Sequence, residues 1–411
     1  MEQIDFTTLL PKLQSGETLL ASLRDSVEYD PRIINADMSK RLLGLSDIYK
    51  VYIPSEMSVE IYNKLYMATM MSLQKKGSRL RVLQQNANFN SIQGSEYNGI
   101  IGGSDSFTII GTSGIGKSSA IERAIRLISE GKIIETEQPY MKIIPCVVVQ
   151  CPFDCSAKGM LLEILRVVDE RLGTRYYQSS LRSGVTSDIL IGTVAQVAIN
   201  HIGVLIIDEI QHVAGHRNGL YLVGLLTQLI NCSGISICMV GTPESVPFFE
   251  QAMQLARRSM GLTYSSLPYE GFFRDACKSL YEYQYVQNKV PINEGILEWL
   301  YEHSAGVISV VISLIHDAQE IAIFNGRETL DIEALSEAYD KRLGILQPHL
   351  VKGVKVVTVK KPKVDKIRIE EKPVVVSDYM SFSEIIDVSK ESGVDVVSVL
   401  KKYMSVTEVI A

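Results

Sequence analysis

The segment from Gly111 to Ser118, with the sequence GTSGIGKS, constrains this chain more than any other part of it. The β-rich run SFTII comes directly before it and the helical run SAIERAIRLI directly after it, so a strand leads into the segment and a helix leads out. Its glycines let the backbone turn sharply, and the N–H groups of such a turn can face inward around a phosphate. The arrangement is typical of a P-loop, the phosphate-binding turn of many nucleotide-binding α/β proteins.

The polar residues of this loop have defined chemical uses. Lys117 is expected to bridge the β- and γ-phosphates, Ser118 to bind Mg²⁺, and the helix N-terminus to add its positive dipole. ATP and Mg²⁺ are therefore the predicted cofactors. The predicted nucleotide-binding residues are Gly111, Thr112, Ser113, Gly114, Ile115, Gly116, Lys117, Ser118, Ser119 and Thr242. Thr242 follows the later run SICMVG and is read either as a sensor of the γ-phosphate or as part of an ordinary Thr-Pro turn.

Two acids follow another buried run of the chain. Val204 begins the apolar sequence VLII, which delivers Asp208 and Glu209 at its carboxyl end, the edge where ligands lie in open α/β sheets. Asp208 is expected to hold Mg²⁺ together with Ser118, and Glu209 to polarise the attacking water. An Asp-Glu pair alone is a weak signal, and the upstream P-loop makes it a strong one.

Arg257 and Arg258 are the predicted source of an additional positive charge. Hydrolysis of a triphosphate relies on charge stabilisation, so a cation is expected near the γ-phosphate. Both arginines lie in the sequence QLARRSMG and are expected to reach the nucleotide of a neighbouring subunit, the alternative being ordinary surface charge on a helix.

The hydrophobic pattern predicts the fold class. Four runs, SFTIIG, IIPCVVVQ, GVLIID and SICMVG, are continuously apolar rather than alternating, which indicates strands buried on both faces of a sheet. Helical stretches separate them. We therefore predict an α/β fold, a parallel five-stranded sheet flanked by helices, followed by a small helical lid.

The chain divides into four predicted regions. A serine-capped helix from Ser55 to Gly77 precedes the sheet, and three helices, from Asn293, Val307 and Asp331, form the lid. The regions are an N-terminal extension (1–54), a nucleotide-binding α/β part (55–285), the lid (286–347) and a basic arm with a C-terminal partner-binding segment (348–411). The extension is also a candidate docking segment for a partner.

Composition limits the class of protein. Hydrophobic residues make up 46% of the chain and charged residues 21%, which excludes global disorder. The N-terminus carries acids where a signal peptide needs positive charge, no run is long enough to span a bilayer, and the six cysteines are irregularly spaced. A cytoplasmic protein without a membrane partner is the expectation. The net charge of −6 requires any nucleic-acid groove to be local.

Taken together, the P-loop, the Asp-Glu pair, the strand succession and the lid resemble the AAA+ ATPases. Within them, VLIIDEIQH, SICMVGTPE and FFRDACKSLYEYQ are similar to the TnsC/TniB transposition regulators, over roughly residues 55–345. The resemblance implies a homo-oligomer, a ring or helical filament, on double-stranded DNA, without sequence preference, that connects a target-selector protein to transposase subunits. It also implies DNA-backbone contacts at Lys158, Arg175, Arg182 and Ser183, in the long connection between IIPCVVVQ and GVLIID, where ordinary exposed polar residues are the alternative.

One feature departs from many relatives. The second lid helix begins GVISVVISLI and contains no arginine that could sense the γ-phosphate, so another residue fills that role or hydrolysis is slow. Two other functions remain open. One is a replication initiator or helicase loader, although the residues after Leu350 are too few for the usual winged-helix domain. The other is a signalling ATPase scaffold that does not bind DNA.

Overall fold

The structure is a computed structural model of the chain. It describes residues 6–78, 83, 86, 106–137, 140–181, 186–247 and 261–344. Residues 345–411, which include the predicted arm and C-terminal segment (348–411), lie outside the described residues.

One six-stranded sheet forms the centre of the molecule, with the strand order β2-β3-β4-β5-β1-β6. Five of the strands run parallel, four of them from the hydrophobic runs and the fifth being β6; a sixth strand, β2, is added to the predicted five and pairs antiparallel with the start of β3 at one edge. The strands are β1 (Phe107–Gly111), β2 (Ile134–Glu137), β3 (Tyr140–Gln150), β4 (Ile202–Asp208), β5 (Ser236–Gly241) and β6 (Leu262–Tyr264).

The central strands are buried on both faces, which explains their continuous apolar sequence. In β4, Val204 and Ile206 face one layer of helices, while Leu205 and Ile207 face the other. The edge strand β2, with the sequence IETE, buries only Ile134 and keeps both of its glutamates exposed. The result is a sheet between two helical layers.

Helices cover the sheet on both sides. The long helix α3 begins after Ser55 and ends before Gly77, as predicted, and packs with α4 on one face. On the other face lie α5, α7 and α8, so the long connection before β4 holds two helices on the sheet and the short helix α6. The helices are α1 (Gly16–Leu23), α2 (Met38–Leu45), α3 (Glu56–Lys76), α4 (Lys117–Ser129), α5 (Ala157–Leu172), α6 (Tyr176–Ser180), α7 (Ser187–His201) and α8 (Gly219–Ser233).

Four further helices build a separate apolar core after the sheet. They are α9 (Gly271–Tyr281), α10 (Glu294–Ser304), α11 (Ile308–Phe324) and α12 (Ile332–Ala338), and a single π-helical turn, Tyr339–Leu343, follows α12. Side-chain caps start α10 and α12: Asn293 accepts from the Ile296 N–H and Asp331 from the Ala334 N–H. The last three begin where the sequence predicts lid helices, whereas α9, which the sequence analysis assigns to the α/β part, packs in the same core.

The N-terminal segment belongs to both cores. Leu19 and Leu23 of α1 are buried with α3 and α4 against the sheet, whereas Leu45 and Ile48 are buried with the lid helices. Asp25 forms ion pairs of 2.9 Å with Arg123 and Arg126 of α4. Residues 6–54 therefore join the sheet to the lid, and their predicted use as a docking segment stays a prediction.

Within the described part of the chain, no helix taken singly has both the length and the apolar composition to cross a membrane. The two lid helices Glu294–Ser304 and Ile308–Phe324 meet that test only as a pair, which is bent by 118°.

A buried ion pair fastens the N-terminal segment to the lid. Arg41, 3% exposed, donates at 2.6 Å to each carboxylate oxygen of Glu328 and at 3.0 Å to the Tyr285 carbonyl. The hydrogen bond from Arg41 holds the pKa of the Glu328 carboxyl below its usual value. The ion pair therefore stabilises the fold fully above the pKa that Glu328 has in the unfolded chain. This stabilisation is lost as the pH falls through the lower pKa of Glu328 in the native protein.

We predict that Arg41→Ala lowers the free energy of unfolding by about 3 kcal/mol at neutral pH, because it leaves a largely buried carboxylate unpaired. Urea denaturation followed by the fluorescence of Trp299, the single tryptophan, measures the change. Arg32→Ala is the control, since the Arg32–Asp30 pair is exposed, and it is expected to change stability by less than about 1 kcal/mol. The difference between wild type and Arg41→Ala should shrink in acid; equal effects of both substitutions would contradict the assignment.

Candidate functional site

Three neighbouring strands of the sheet end at one cavity. The sheet order places β5 between β1 and β4, and because all three run parallel, the residues after them meet at the same edge. The cavity there has a volume of about 250 Å³. Its lining residues are Ser113, Gly114, Gly116, Lys117, Ser118, Ser119, Asp208, Glu209, Gln211, Gly241, Thr242 and Ser309.

The loop after β1 has the backbone conformation that its glycines allow. Gly114 has a φ of 80° and Gly116 a φ of 97°, both in the region that favours glycine. Gly116 leads directly into α4, where the first helical N–H groups have no partner within the helix. Gly111 is closely packed, since a Cβ there would lie 2.7 Å from Cδ1 of Ile115. The loop therefore presents N–H groups to the cavity, as an anion site requires.

Lys117 is the cation of the cavity. Its side chain is 9% exposed, and its Nζ donates to the Gly111 carbonyl at 2.5 Å and to the Thr112 carbonyl at 3.0 Å. Burial lowers the pKa of the Lys117 ammonium, and the charges of Asp208, Glu209 and Glu244 oppose that shift. Carbonyl oxygens of the loop and three carboxylates thus surround a positive charge that phosphate oxygens can also neutralise.

The two predicted halves of the site are in direct contact. The Ser118 hydroxyl donates to one carboxylate oxygen of Asp208 at 3.0 Å, and the other oxygen accepts from the Glu209 N–H at 2.8 Å. Glu209 has a φ of 57°, which is uncommon for a residue with a side chain and turns the chain sharply at the end of β4. The side chains of Asp208 and Glu209 consequently diverge, one toward Ser118 and the other toward Gln211.

Thr242 lies where the sequence predicts, at the cavity edge after β5, and its hydroxyl donates to the carboxylate of Glu244. That hydrogen bond lowers the pKa of Glu244. The structure thus reveals a polar pair where the sequence pattern indicates a single threonine. Glu244 has no signal in the sequence beyond its place after a Thr-Pro turn.

The lid meets the loop through Ser309, in the first turn of α11. The Ser309 N–H donates to the Gly114 carbonyl at 3.3 Å, and a Cβ on Gly114 would collide with the Ser309 hydroxyl. α11 contains no arginine, as the sequence shows, and it brings a small polar residue to the cavity. Sequence reasoning missed Ser309 because it searched this helix for a charge.

The other predicted site residues lie apart from one another. Lys158 is exposed in the first turn of α5, at the cavity edge of the sheet, whereas Arg175 is exposed beyond the other end of that helix. The helix has 16 residues and is about 24 Å long. The structure therefore does not bring Lys158 and Arg175 together. Arg182, Ser183, Arg257 and Arg258 lie outside the described residues.

Two further residues, one in the cavity lining and one beside the loop, have no counterpart in the sequence analysis. Gln211 lines the cavity beside Glu209, and Tyr52 approaches the loop from the N-terminal segment, with a ring atom 4.0 Å from the position of a Cβ on Gly116. The Arg123 guanidinium of α4 lies over the Tyr52 ring, 4.1 Å from its centroid. A polar residue two positions after Glu209 is a signal that could have found Gln211, whereas the position of Tyr52 depends on long-range packing.

Residues 102–265 match the family model described as "Bacterial TniB protein", a segment of less than half of the chain that runs from before the P-loop to the end of β6. No curated protein matches the chain. Among solved structures, the Aeropyrum pernix ORC1 protein in complex with DNA is 16% identical with a TM-score of 0.42, covering 64% of each chain. Drosophila ORC bound to DNA is 11% identical with a TM-score of 0.45, covering 82% of this chain and 71% of that one.

A third structure is domain III of the Thermotoga maritima replication initiation protein DnaA, which is 14% identical with a TM-score of 0.33, covering 63% of this chain and 90% of that one. This chain spans less than two thirds of the length of the Aeropyrum pernix protein. The family match agrees with the resemblance drawn from the sequence, and the matched segment contains the P-loop, Asp208 and Glu209, which line one cavity.

We predict that Lys117→Ala weakens nucleotide binding about ten- to a hundredfold, because the phosphates lose a charge-assisted hydrogen bond. Titration with a fluorescent ATP analogue measures the dissociation constant. Lys132→Ala is the matched control, since this lysine is exposed on the loop that follows the same helix, α4. Equal affinity of the Lys117→Ala and wild-type proteins would contradict the assignment of this cavity to nucleotide.

Proposed function

We propose that this TniB-like AAA+ ATPase regulates DNA transposition, by assembling with ATP on double-stranded DNA and connecting a target selector to the transposase. The observation that carries the proposal is the extent of the family match. Residues 102–265 include the P-loop, Asp208 and Glu209, Thr242 and the helices between β3 and β4. The matched part therefore contains both the nucleotide site and the connection expected to contact DNA.

ATP and Mg²⁺ fit the residues present. Gly114 and Gly116 adopt the positive φ angles of a phosphate-binding turn, and Lys117 is the buried cation beside it. Ser118 and Asp208 offer a hydroxyl and a carboxylate oxygen 3.0 Å apart, the hard oxygen ligands that Mg²⁺ prefers. When bound there, Mg²⁺ supplies positive charge to the phosphate oxygens.

The residues of the chain divide the work of hydrolysis between them. Lys117 and the N-terminus of α4 bind the phosphates and offset the charge that develops on them. Glu209 accepts a proton from the attacking water and orients that water toward the γ-phosphate. Thr242 lines the cavity after β5. Arg257 or Arg258 of a neighbouring subunit adds a cation near the γ-phosphate. Such a shared site makes assembly depend on nucleotide.

Binding to DNA is proposed to use the phosphate backbone. Lys158 and Arg175, at the two ends of α5, present positive charge at points about 24 Å apart, and Arg182 and Ser183 follow in the same connection. Contacts to phosphates supply affinity without sequence preference, which suits a protein whose target is chosen by a partner. The N-terminal segment and residues 348–411 are the proposed contacts for the target selector and the transposase subunits.

We predict that the protein co-sediments with plasmid DNA in the presence of a non-hydrolysable ATP analogue and not in its absence. The amount bound should fall steeply as salt is raised and should not depend on the DNA sequence, because phosphates make the contacts. Glu209→Gln with ATP should remain bound for longer than wild type, and Lys117→Ala should not bind.

Lys158→Glu is the variant that tests the DNA contact itself, and Lys132→Glu is its matched control on another exposed surface. Only the first is expected to weaken co-sedimentation. ATP hydrolysis without any DNA binding would favour the signalling scaffold over the transposition regulator. Equal loss of binding in Glu209→Gln and Lys117→Ala would contradict the separate roles of the two residues.

A further inference from the structure

Gln211 is placed against the carboxylate of Glu209. It lies in the short 3-10 turn Ile210–Val213, which begins directly after Glu209. Because Glu209 has a φ of 57°, the chain turns back on itself there, and the Gln211 side chain comes alongside that of Glu209. The Gln211 amide Nε2 donates to Glu209 Oε2, and both side chains line the nucleotide cavity.

The orientation of the amide follows from its chemistry. An ionised carboxylate only accepts hydrogen bonds, so the NH₂ end of Gln211 must face Glu209 and Oε1 must point away. Oε1 is buried and has no hydrogen-bond partner among the residues that the structure describes. Burying an acceptor without a donor is unfavourable, so Oε1 does not hold the amide in this position. The hydrogen bond from Nε2 to Glu209 does.

Gly241, at the end of β5, leaves the space that the amide occupies. A Cβ at this position would lie 3.1 Å from Oε1 of Gln211 and 2.8 Å from Cγ2 of Ile210. The Gln211 side chain therefore fills a pocket between the ends of β4 and β5, with one end on Glu209 and the other beside Gly241. It is confined there rather than free to turn into solvent.

The neighbouring polar groups are engaged elsewhere. Both carboxylate oxygens of Asp208 accept hydrogen bonds, from Ser118 and from the Glu209 N–H, and the Thr242 hydroxyl donates to Glu244. In the described part of the chain, the hydrogen bond to the Glu209 carboxylate comes from Gln211.

We infer that Gln211 is a positioning residue for ATP hydrolysis: its amide holds the Glu209 carboxylate at the cavity edge in the direction from which it takes the proton of water. The inference rests on the proposed role of Glu209. Gln211 leaves the binding of nucleotide to the P-loop and acts on the turnover step through Glu209. Misplacing a catalytic group by about 1 Å lowers a rate by up to about a hundredfold, so the orientation of one carboxylate has a measurable effect.

The test compares one substitution that keeps the volume of the Gln211 side chain with one that shortens it. Gln211→Glu is nearly isosteric but replaces the amide donor by a second carboxylate. Gln211→Asn keeps the amide and shortens its reach by one methylene. Each variant is expected to lower kcat about tenfold or more, with Gln211→Asn the milder, while the dissociation constant for a fluorescent ATP analogue and the melting temperature remain close to those of wild type.

Gln228→Glu makes the same chemical change at an exposed position of α8, away from the cavity, and should leave kcat unchanged. A kcat within about twofold of wild type in both Gln211 variants would overturn the inference. A higher kcat would also overturn it, since Gln211 would then restrain Glu209 instead of aligning it. A weaker nucleotide affinity with unchanged kcat would assign Gln211 to nucleotide binding and would also overturn the inference.

A double variant separates an action through Glu209 from an independent one. If Gln211 acts through Glu209, adding Gln211→Glu to Glu209→Gln should cause no further loss of rate. If the two residues act independently, the fold-losses of rate of the two single variants should multiply in the double variant. The same series distinguishes the two levels of the proposal. If Glu209→Gln hydrolyses ATP at the wild-type rate, the proposed role of Glu209 fails; if it is inactive while the Gln211 variants are normal, only this inference fails.

Discussion

The hydrogen bond between Ser118 and Asp208 joins two parts of the chain that are far apart in the sequence. The nucleotide site depends on the alignment of the strand ends that brings these two residues into contact. Ser118 stands at the start of α4 and Asp208 at the end of β4, two strands away from β1 in the sheet. Their oxygens come within 3.0 Å because β1, β5 and β4 run parallel and end at one edge. An antiparallel β5 would place Gly241 and Thr242 at the opposite edge and remove one wall of the cavity.

The sequence predicts those elements of the site that a local residue pattern determines. Continuous apolar runs identify the four central strands, and a glycine-rich turn between a strand and a helix identifies the loop. The edge strands were not predicted because they are short and carry a weak apolar pattern: β6 has three residues, and β2 has one strongly apolar residue, Ile134, among four. An edge strand can pair with the sheet although its apolar pattern is weak, because only one of its faces contributes to burial.

The N-terminal segment illustrates a second limit of sequence reasoning. Its apolar residues look scattered because they serve two cores, Leu19 and Leu23 beside the sheet and Leu45 and Ile48 within the lid. Arg41 looks like surface charge until Glu328, 287 positions away, is placed against it. Pairings of this kind carry no local signal, so the sequence suggests a loose extension where the structure has a segment that joins the sheet to the lid.

The contact between lid and loop shows how the site can act on the rest of the fold without a charged sensor. Ser309 reaches the loop through its backbone N–H, and Gly114 has no Cβ that would push α11 away. The position of α11 is therefore set by the backbone of the phosphate-binding turn. α11 packs in the same core as Ile48 and as Leu45 of α2, the helix that carries Arg41. Because close-packed interiors transmit displacement, a shift of the loop would pass by steric contact to the lid and the N-terminal segment. This contact between lid and loop is made by backbone atoms and a small side chain, so it does not require an arginine in α11.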